Sequence, residues 1–187
     1  MSCKPLVRLD PTTLRGEVVE CMEVAERELV LVPPGRPIHP VEALHLLYRG
    51  TGEVLLGDRR VSFVELLEAY SGRNPLALAY YEVYLELRRR GRLPIPGPRE
   101  NTLILIRSRR NPKQTHYVLV VEEGREVLVS QLAAFVEEAR RRGLEPLLAI
   151  VDRYGDVTFY TPMVFHLFPS PREMGEALEA ARNTRPA

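Results

Sequence analysis

The segment LLAIVDRYGDVTFY, residues Leu147–Tyr160, is the part of the sequence from which the fold is most readily predicted. Its first five residues are apolar without interruption, a pattern typical of a strand that is covered on both faces. The five residues Asp152–Asp156 combine aspartates with Gly155, which can adopt a positive φ, and so they predict a tight turn. Val157–Tyr160 is β-branched and aromatic and predicts a second, antiparallel strand. The stretch therefore predicts a hairpin with an acidic tip, around which the rest of the chain is organised.

Composition limits what the chain can do. Its 187 residues carry 26 basic and 25 acidic side chains, so the formal net charge of +1 gives no overall attraction to nucleic acid, and any such binding must come from a local patch. No apolar run approaches the roughly 18 residues that a membrane span needs, and the sequence opens without a signal-peptide pattern. We therefore expect a cytoplasmic protein without a membrane-spanning segment.

The chain has only two cysteines, Cys3 and Cys21, and they do not form a CxxC pair. Two widely spaced cysteines do not suggest a disulfide framework or a zinc site, and they are usual in an intracellular protein. The sequence therefore predicts neither a disulfide nor a bound metal.

Residues 1–73 predict a small N-terminal α/β domain. Pro40 opens one helix, and Ser62 with Glu65 forms a capping box at the start of another. Met1–Pro11 mixes proline with charge and predicts a frayed lead-in. Ser71–Pro75 is turn chemistry and predicts the domain boundary. The strands expected in this domain are Gly16–Ala25, Glu28–Val32 and Glu53–Leu56.

Residues 76–168 predict a C-terminal domain in the order αββ(β)αββ, and residues 169–187 predict a helical tail that includes an amphipathic helix, Pro171–Arg182. Leu76–Arg90 and Gln131–Arg142 show apolar stripes at helical spacing, and each ends in three arginines followed by glycine. Pro94–Pro98 predicts a turn. The strands expected before the hairpin are Leu103–Ile106, His116–Val121 and Glu126–Val129. The order predicts an α/β (α+β) protein whose mixed sheet is flanked by helices.

A basic loop lies between the first two of these strands. Its four basic side chains are Arg107, Arg109, Arg110 and Lys113. Such a loop can contact RNA phosphates, although a merely solvated loop tip has the same composition. A metal-free ribonuclease needs a general base, a general acid and a cation, so Lys113, His116 and Tyr117 form a weak candidate set. A single histidine on a strand beside apolar residues is more often a satisfied edge histidine than a catalytic one, and this interpretation of His116 is favoured.

Four segments carry a resemblance that extends over residues 38–161. They are IHPVEALHLLYRGTGEVLLGDRRVSFVELLE (Ile38–Glu68), YYEVYLELRRRGRLPIPG (Tyr80–Gly97), HYVLVV (His116–Val121) and the hairpin stretch. In this order they resemble the archaeal tRNA-splicing endonuclease family. The resemblance implies an N-terminal α/β domain, a restriction-endonuclease-like C-terminal domain and a four-unit assembly that removes introns from precursor tRNA. It also implies cleavage that uses no metal and no other cofactor.

The chain departs from this family at the catalytic positions. The family's tyrosine aligns with Arg107, and its histidine aligns with Gln114, or with His116 after a short shift. Its lysine aligns with Leu144 or Glu145. The resemblance therefore implies a non-catalytic structural subunit that pairs, as two copies of each chain, with a catalytic tRNA-splicing endonuclease subunit. Two alternatives stay open: an RNA endonuclease that uses His116, and an RNA-binding module without an endonuclease partner.

The resemblance also gives the acidic hairpin a role. In the family, the matching loop carries carboxylates into a basic cleft on a neighbouring subunit, and the strand that follows pairs edge to edge with a partner. The residues that this assigns to partner binding are Asp152, Arg153, Tyr154, Gly155, Asp156, Phe159 and Tyr160. Without the resemblance, the same residues describe an ordinary solvated turn.

Overall fold

The structure, a computed structural model, describes residues 3–30 and 36–163. The expected helix Pro171–Arg182 and the tail 169–187 lie outside these residues. Within the described ranges the chain forms nine strands and five helices. The strands are β1 Leu6–Leu9, β2 Gly16–Glu20, β3 Glu53–Leu56, β4 Arg59–Arg60, β5 Leu93–Pro96, β6 Thr102–Ile106, β7 Gln114–Glu122, β8 Glu145–Val151 and β9 Val157–Tyr160. The helices are α1 Met22–Glu28, α2 Pro40–Arg49, α3 Phe63–Ser71, α4 Ala77–Arg89 and α5 Val129–Arg141.

The first sheet has the strand order β2-β1-β3-β4. β1 runs parallel to β3 and antiparallel to β2, and its Val7 and Leu9 are fully buried. The expected frayed lead-in is therefore wrong, because this segment buries apolar side chains once two strands flank it. The expected strand Gly16–Ala25 ends at Glu20, and α1 begins at Met22. Of the further strand expected at Glu28–Val32, Glu28 is the last residue of α1, and residues 31–32 lie outside the described residues.

The structure joins Cys3 and Cys21 in a disulfide, which corrects the prediction that these cysteines stay unpaired. The pairing of β1 with β2 sets Leu6 opposite Glu20 and so brings the flanking cysteines together, with 6.0 Å between their Cα atoms. That separation is usual for a disulfide. The bond could not be predicted from the spacing of the cysteines, because the contact exists only once the sheet has formed.

Helix α4 lies between the two sheets. It contacts α2 and α3 on one side and strands β7, β8 and β9 on the other. Its buried residues therefore extend around most of its surface, and Tyr80, Tyr81 and Tyr84 are each no more than 2% exposed. One apolar cluster continues from the first sheet through α4 to the second. The division of the chain at residues 73 and 76 stays a prediction, since both halves share this core.

The second sheet has the order β5-β6-β7-β8-β9 and carries the hairpin at one edge. β8 and β9 pair antiparallel across a tight turn, as predicted. β7 and β8 are parallel, and α5 makes the crossover that parallel neighbours require. The predicted fold class, α and β elements with helices flanking mixed sheets, is confirmed.

Two predictions of local structure in this half of the chain, one turn and one strand, are wrong. The expected turn Pro94–Pro98 begins within strand β5, which can contain prolines because it lies at the edge of the sheet. The expected strand Glu126–Val129 does not form, and α5 begins at Val129 instead. A β-branched segment without a neighbouring strand has no backbone partner to hold it extended.

The predicted coverage of β8 on both faces is also only half right. Ala149 and Val151 are buried on the side of α4, whereas Leu148 and Ile150 on the opposite face are half-buried. One face of the hairpin therefore remains open, and it forms part of the site described next.

Candidate functional site

The positions that align with the family's catalytic residues meet at one end of the second sheet. We call them the aligned site: Arg107, Gln114, His116, Leu144 and Glu145. Strand register brings them together, because Ile106 of β6 lies opposite Gln114, and His116 of β7 lies opposite Glu145 of β8. The fold thus brings the aligned positions together, and the chemistry of their side chains decides what this site can do.

His116 is paired with a carboxylate in this site. Its Nε2 lies 3.3 Å from Glu145 Oε2, and its Nδ1 lies 2.9 Å from the Thr115 hydroxyl. The glutamate side chain is 78% exposed, so the pair contributes little to stability. The neighbouring Leu144 is apolar and buried. Both residues that align with the catalytic lysine therefore lack a positive charge.

The structure does not bring Tyr117 to this site. Neighbouring side chains on a strand point to opposite faces, so Tyr117 points away from the side of the sheet that His116 takes. Its ring is fully buried, 5.1 Å from the ring of Phe135, and its hydroxyl lies 3.5 Å from Glu138. The candidate set of Lys113, His116 and Tyr117 is therefore not assembled, because its phenol belongs to the core.

The four residues of the basic loop have different surroundings. The Arg109 guanidinium donates hydrogen bonds to the backbone carbonyls of Glu26 and Arg27, the second at 2.6 Å. Arg109 therefore ties the loop to the C-terminal end of α1, where carbonyl groups need donors. The remaining three basic side chains are solvent-exposed: Arg107, Arg110 and Lys113.

The tip of the hairpin divides its two aspartates between two roles. Asp152 Oδ1 accepts hydrogen bonds from the backbone N–H groups of Tyr154 and Asp156, at 2.8 and 3.0 Å, so this carboxylate holds the turn in shape. Gly155 has a φ of +85°, which a side chain would strain. Of the two aspartates, Asp156 is the one whose side chain is exposed to solvent.

An arginine and a tyrosine form a projecting pair beside Asp156. The Arg153 guanidinium lies 4.7 Å from the centre of the Tyr154 ring and donates a 2.6 Å hydrogen bond to its hydroxyl. Tyr154 is 75% exposed. An aromatic ring held by a cation in this way is a well-ordered surface feature.

Phe159 and Tyr160 point to opposite faces of β9. Phe159 packs against the core below α4, and the Arg90 guanidinium lies 5.2 Å from its ring. Tyr160 is 53% exposed on the open face. Only Tyr160 is therefore placed to meet a partner through its side chain, while the backbone of β9 forms the edge of the sheet.

An apolar groove of about 520 Å³ runs along this open face. The apolar side chains that line the apolar groove include Val127, Val129, Leu132, Leu148, Ile150 and Tyr160. Its polar lining residues are Glu122, Glu123, Arg125, Asp152, Asp156 and Thr158. Val129 is 83% exposed, which is unusual for an aliphatic side chain. Sequence reasoning missed the groove because it assigned Glu126–Val129 to a strand; the available signal was three consecutive apolar residues next to a loop.

The described residues contain neither a metal-binding cluster nor a membrane-spanning helix. Within residues 3–30 and 36–163, three or more His, Cys, Asp or Glu side chains do not converge in a way that could hold a metal ion. Over the same part of the chain, the helices are too short or too polar to cross a bilayer.

Comparison with known proteins identifies relatives of this chain. Residues 77–159 match the family described as tRNA intron endonuclease, catalytic C-terminal domain. The "EndA-like protein" of Methanopyrus kandleri is 32% identical over 127 residues, which cover 67% of this chain and 75% of the relative. The "tRNA-splicing endonuclease" of Thermococcus kodakarensis is 31% identical over 121 residues, covering 64% and 72%.

A third relative differs in length. The "tRNA-splicing endonuclease" of Methanosarcina acetivorans is 31% identical over 134 residues, but the match covers 36% of that protein and 67% of this chain. The family match, residues 77–159, contains the whole aligned site and all of the hairpin except Tyr160. The chain belongs to the tRNA-splicing (tRNA-intron) endonuclease family.

Proposed function

We propose that this chain is a non-catalytic structural subunit of a tRNA-splicing endonuclease. The observation that supports the proposal is the composition of the aligned site, where Glu145 pairs with His116 and buried Leu144 takes the adjacent place. A phosphodiester that is attacked by its own 2′-hydroxyl gathers negative charge on its non-bridging oxygens. A carboxylate beside that phosphate repels the charge that the family's lysine would stabilise.

The energetic consequence is large. Loss of one preorganised charge-stabilising contact commonly costs about 3–4 kcal/mol, or roughly 10²- to 10³-fold in rate. Here the positions that align with the lysine, Leu144 and Glu145, lack a cation, and Arg107 stands where the family has a tyrosine, so the phenol is missing as well. A guanidinium does not replace a phenol as a general acid or base. In our proposal the cutting groups come from a catalytic partner subunit, and cleavage leaves a 2′,3′-cyclic phosphate and a 5′-hydroxyl without metal or other cofactor.

The hairpin and the apolar groove are the proposed contact with that partner. The tip offers the exposed Asp156 carboxylate and the projecting Tyr154 ring, and the groove behind it offers aliphatic side chains together with Tyr160. Apolar surface rimmed by charged and aromatic groups is typical of a protein interface. The β9 edge adds backbone groups that a second strand can bond. Together these features suit an assembly with two copies of each chain.

The proposed contact with precursor tRNA is the loop between β6 and β7, at the end of the sheet that carries the aligned site. Arg107, Arg110 and Lys113 are exposed on a loop that Arg109 anchors to α1. A loop that is held in place positions its charges on phosphates at a lower entropic cost than a free loop. Because this patch offers three cations, it should give RNA binding only a modest salt dependence, since about one counterion is released for each phosphate contact.

Co-expression with a catalytic member of the family tests the proposal. We expect a stable complex with the mass of two copies of each chain, and cleavage of a bulge-helix-bulge RNA that requires both. Sizing and native mass spectrometry give the stoichiometry, and a cleavage assay of each chain alone gives the division of labour. A chain that copurifies with RNA and with no second protein would instead be an RNA-binding module.

A catalytic role for this chain is the second candidate. The observation in its favour is that residues 77–159, which contain His116, match a family that is described as a catalytic C-terminal domain. The exposed Lys113 lies three residues before it and could supply a cation. This alternative predicts cleavage by the lone chain.

A further inference from the structure

A second pocket, separate from the aligned site and the hairpin, opens between α2 and α4. It has a volume of about 330 Å³, and we call it the arginine pocket. Its lining residues are Glu28, His45, Tyr48, Arg49, Leu85, Arg88 and Arg89. Three arginines against one glutamate give this small space a net positive charge.

Two lining residues of the pocket, His45 and Arg88, and the adjoining Tyr84 each have a buried polar atom without a hydrogen bond among the described residues. His45 is 4% exposed, and its Nδ1 has no hydrogen-bond partner among the described residues. The same holds for Arg88 Nη1 and for the hydroxyl of Tyr84, whose ring lies 5.5 Å from that of His45. Tyr84 lies close to the Arg88 guanidinium, but the two do not reach hydrogen-bond geometry. Buried donors of this kind require a partner, because leaving them unpaired is costly.

The remaining donors are held in position around the opening. Arg88 Nη2 donates to the backbone carbonyl of Glu28 at 2.9 Å, which holds the guanidinium of this lining residue in place, while its Nη1 is buried. Arg89 Nη2 donates to the Tyr48 hydroxyl at 3.1 Å, so that hydroxyl keeps its own proton for another acceptor. Arg49 is exposed at the rim.

We propose that the arginine pocket binds a phosphate group, either an RNA phosphodiester or a free phosphate anion. A tetrahedral anion can accept several hydrogen bonds from different directions, which matches donors that come from two helices. Burial, with repulsion from Arg88 and Arg49, lowers the pKa of His45 to about 4, so its ring is neutral at pH 7 and can donate one N–H. The bound anion would satisfy the unpaired donors and offset the charge of the arginines.

The experiment uses the purified full chain without a partner and without a cleavage step, so it stands apart from the subunit role proposed above. Isothermal titration with inorganic phosphate at low ionic strength measures the site directly, and acetate serves as a planar carboxylate for comparison. Fluorescence anisotropy with a short, unbulged RNA duplex measures the RNA source. The test variant is Arg49→Gln with Arg89→Gln, since both side chains lie on the surface and their loss leaves the core intact.

The matched control is Arg140→Gln with Arg141→Gln, which removes two arginines from the end of α5, outside the pocket. We expect the test variant to weaken phosphate binding at least tenfold and the control to leave it unchanged. His45→Phe should weaken it as well, and the unfolding temperature of each variant verifies the fold. A parallel loss of RNA affinity identifies an RNA phosphodiester, and loss of phosphate binding alone identifies a free anion. Absence of phosphate binding, equal binding of acetate, or no difference between test and control variants overturns the proposal.

Discussion

The two ends of strand β8 make opposite demands on the sequence. At its first residue, Glu145 faces His116, and in our proposal this is the place where a catalytic member of the family has a cation. At the far end, the chain turns through a well-built acidic tip and exposes an apolar face. Between these ends, Ala149 and Val151 are buried and hold the strand against α4.

The difference shows what the fold alone can and cannot say. Burial and register in the middle of β8 keep the sheet, and exchange of an exposed end residue such as Glu145 costs the fold little. The family fold can therefore persist while the catalytic groups change. An exposed apolar groove is different, because it favours association and lowers solubility unless something covers it. Its presence points to a partner more directly than the fold points to catalysis.

The largest effect is expected at the hairpin tip. Asp156→Lys should weaken assembly with the catalytic partner by about 3 kcal/mol, on the order of 100-fold, because it reverses the charge of a carboxylate docked in a basic cleft. Analytical ultracentrifugation of the mixed subunits measures the change. Asp58→Lys is the matched control, since Asp58 also follows a glycine in an exposed hairpin turn. Equal assembly of both variants would remove the hairpin from the interface.

A smaller effect is expected in the apolar groove. Tyr160→Asp puts a charge where an apolar contact forms, and it should weaken assembly roughly tenfold to 100-fold, or about 1.5–3 kcal/mol. Binding of the catalytic subunit by surface plasmon resonance measures the loss. Val64→Asp changes an equally exposed apolar residue on α3, outside the groove, and should leave binding as it is. If Val64→Asp is as damaging as Tyr160→Asp, the groove is not the contact.

The basic loop separates a structural arginine from an exposed one. Arg109→Gln removes the bonds to the end of α1 and should lower the free energy of unfolding by about 1 kcal/mol, with faster hydrogen exchange over residues 107–113. Arg110→Gln should change stability by less than ~0.5 kcal/mol but reduce the salt dependence of RNA binding by about one ion. Identical behaviour of the two variants in both measurements would contradict the division.

Local signals in the sequence predicted much of the fold. Three signals that act over a few residues each predicted the element that the structure contains. They are the turn residues at the hairpin tip, the capping box of Ser62 and Glu65, and the apolar stripe of α4. The failures depend on distant neighbours. β1 becomes a strand only when β2 and β3 flank it, and the disulfide of Cys3 with Cys21 follows from that pairing.

The candidate site follows the same division. The family resemblance located the aligned positions, and strand register then set His116 against Glu145. The anchoring role of Arg109 could not be predicted, because its acceptors lie 82 and 83 residues away along the chain. The apolar groove could not be predicted, because the expected strand Glu126–Val129 does not form. Whether that segment becomes a strand depends on a neighbouring strand and not on the composition of the segment itself.

The smallest effect on function is expected from substitution of His116, and this substitution tests the central claim. His116→Ala removes an exposed pair with Glu145 and should change the free energy of unfolding by less than ~1 kcal/mol. The most direct measurement is the rate of bulge-helix-bulge RNA cleavage by the purified lone chain and by the complex with a catalytic partner, each with and without His116→Ala. We predict no cleavage by the lone chain and an unchanged rate for the complex that carries the substitution. Cleavage by the lone chain that disappears on His116→Ala would contradict the account.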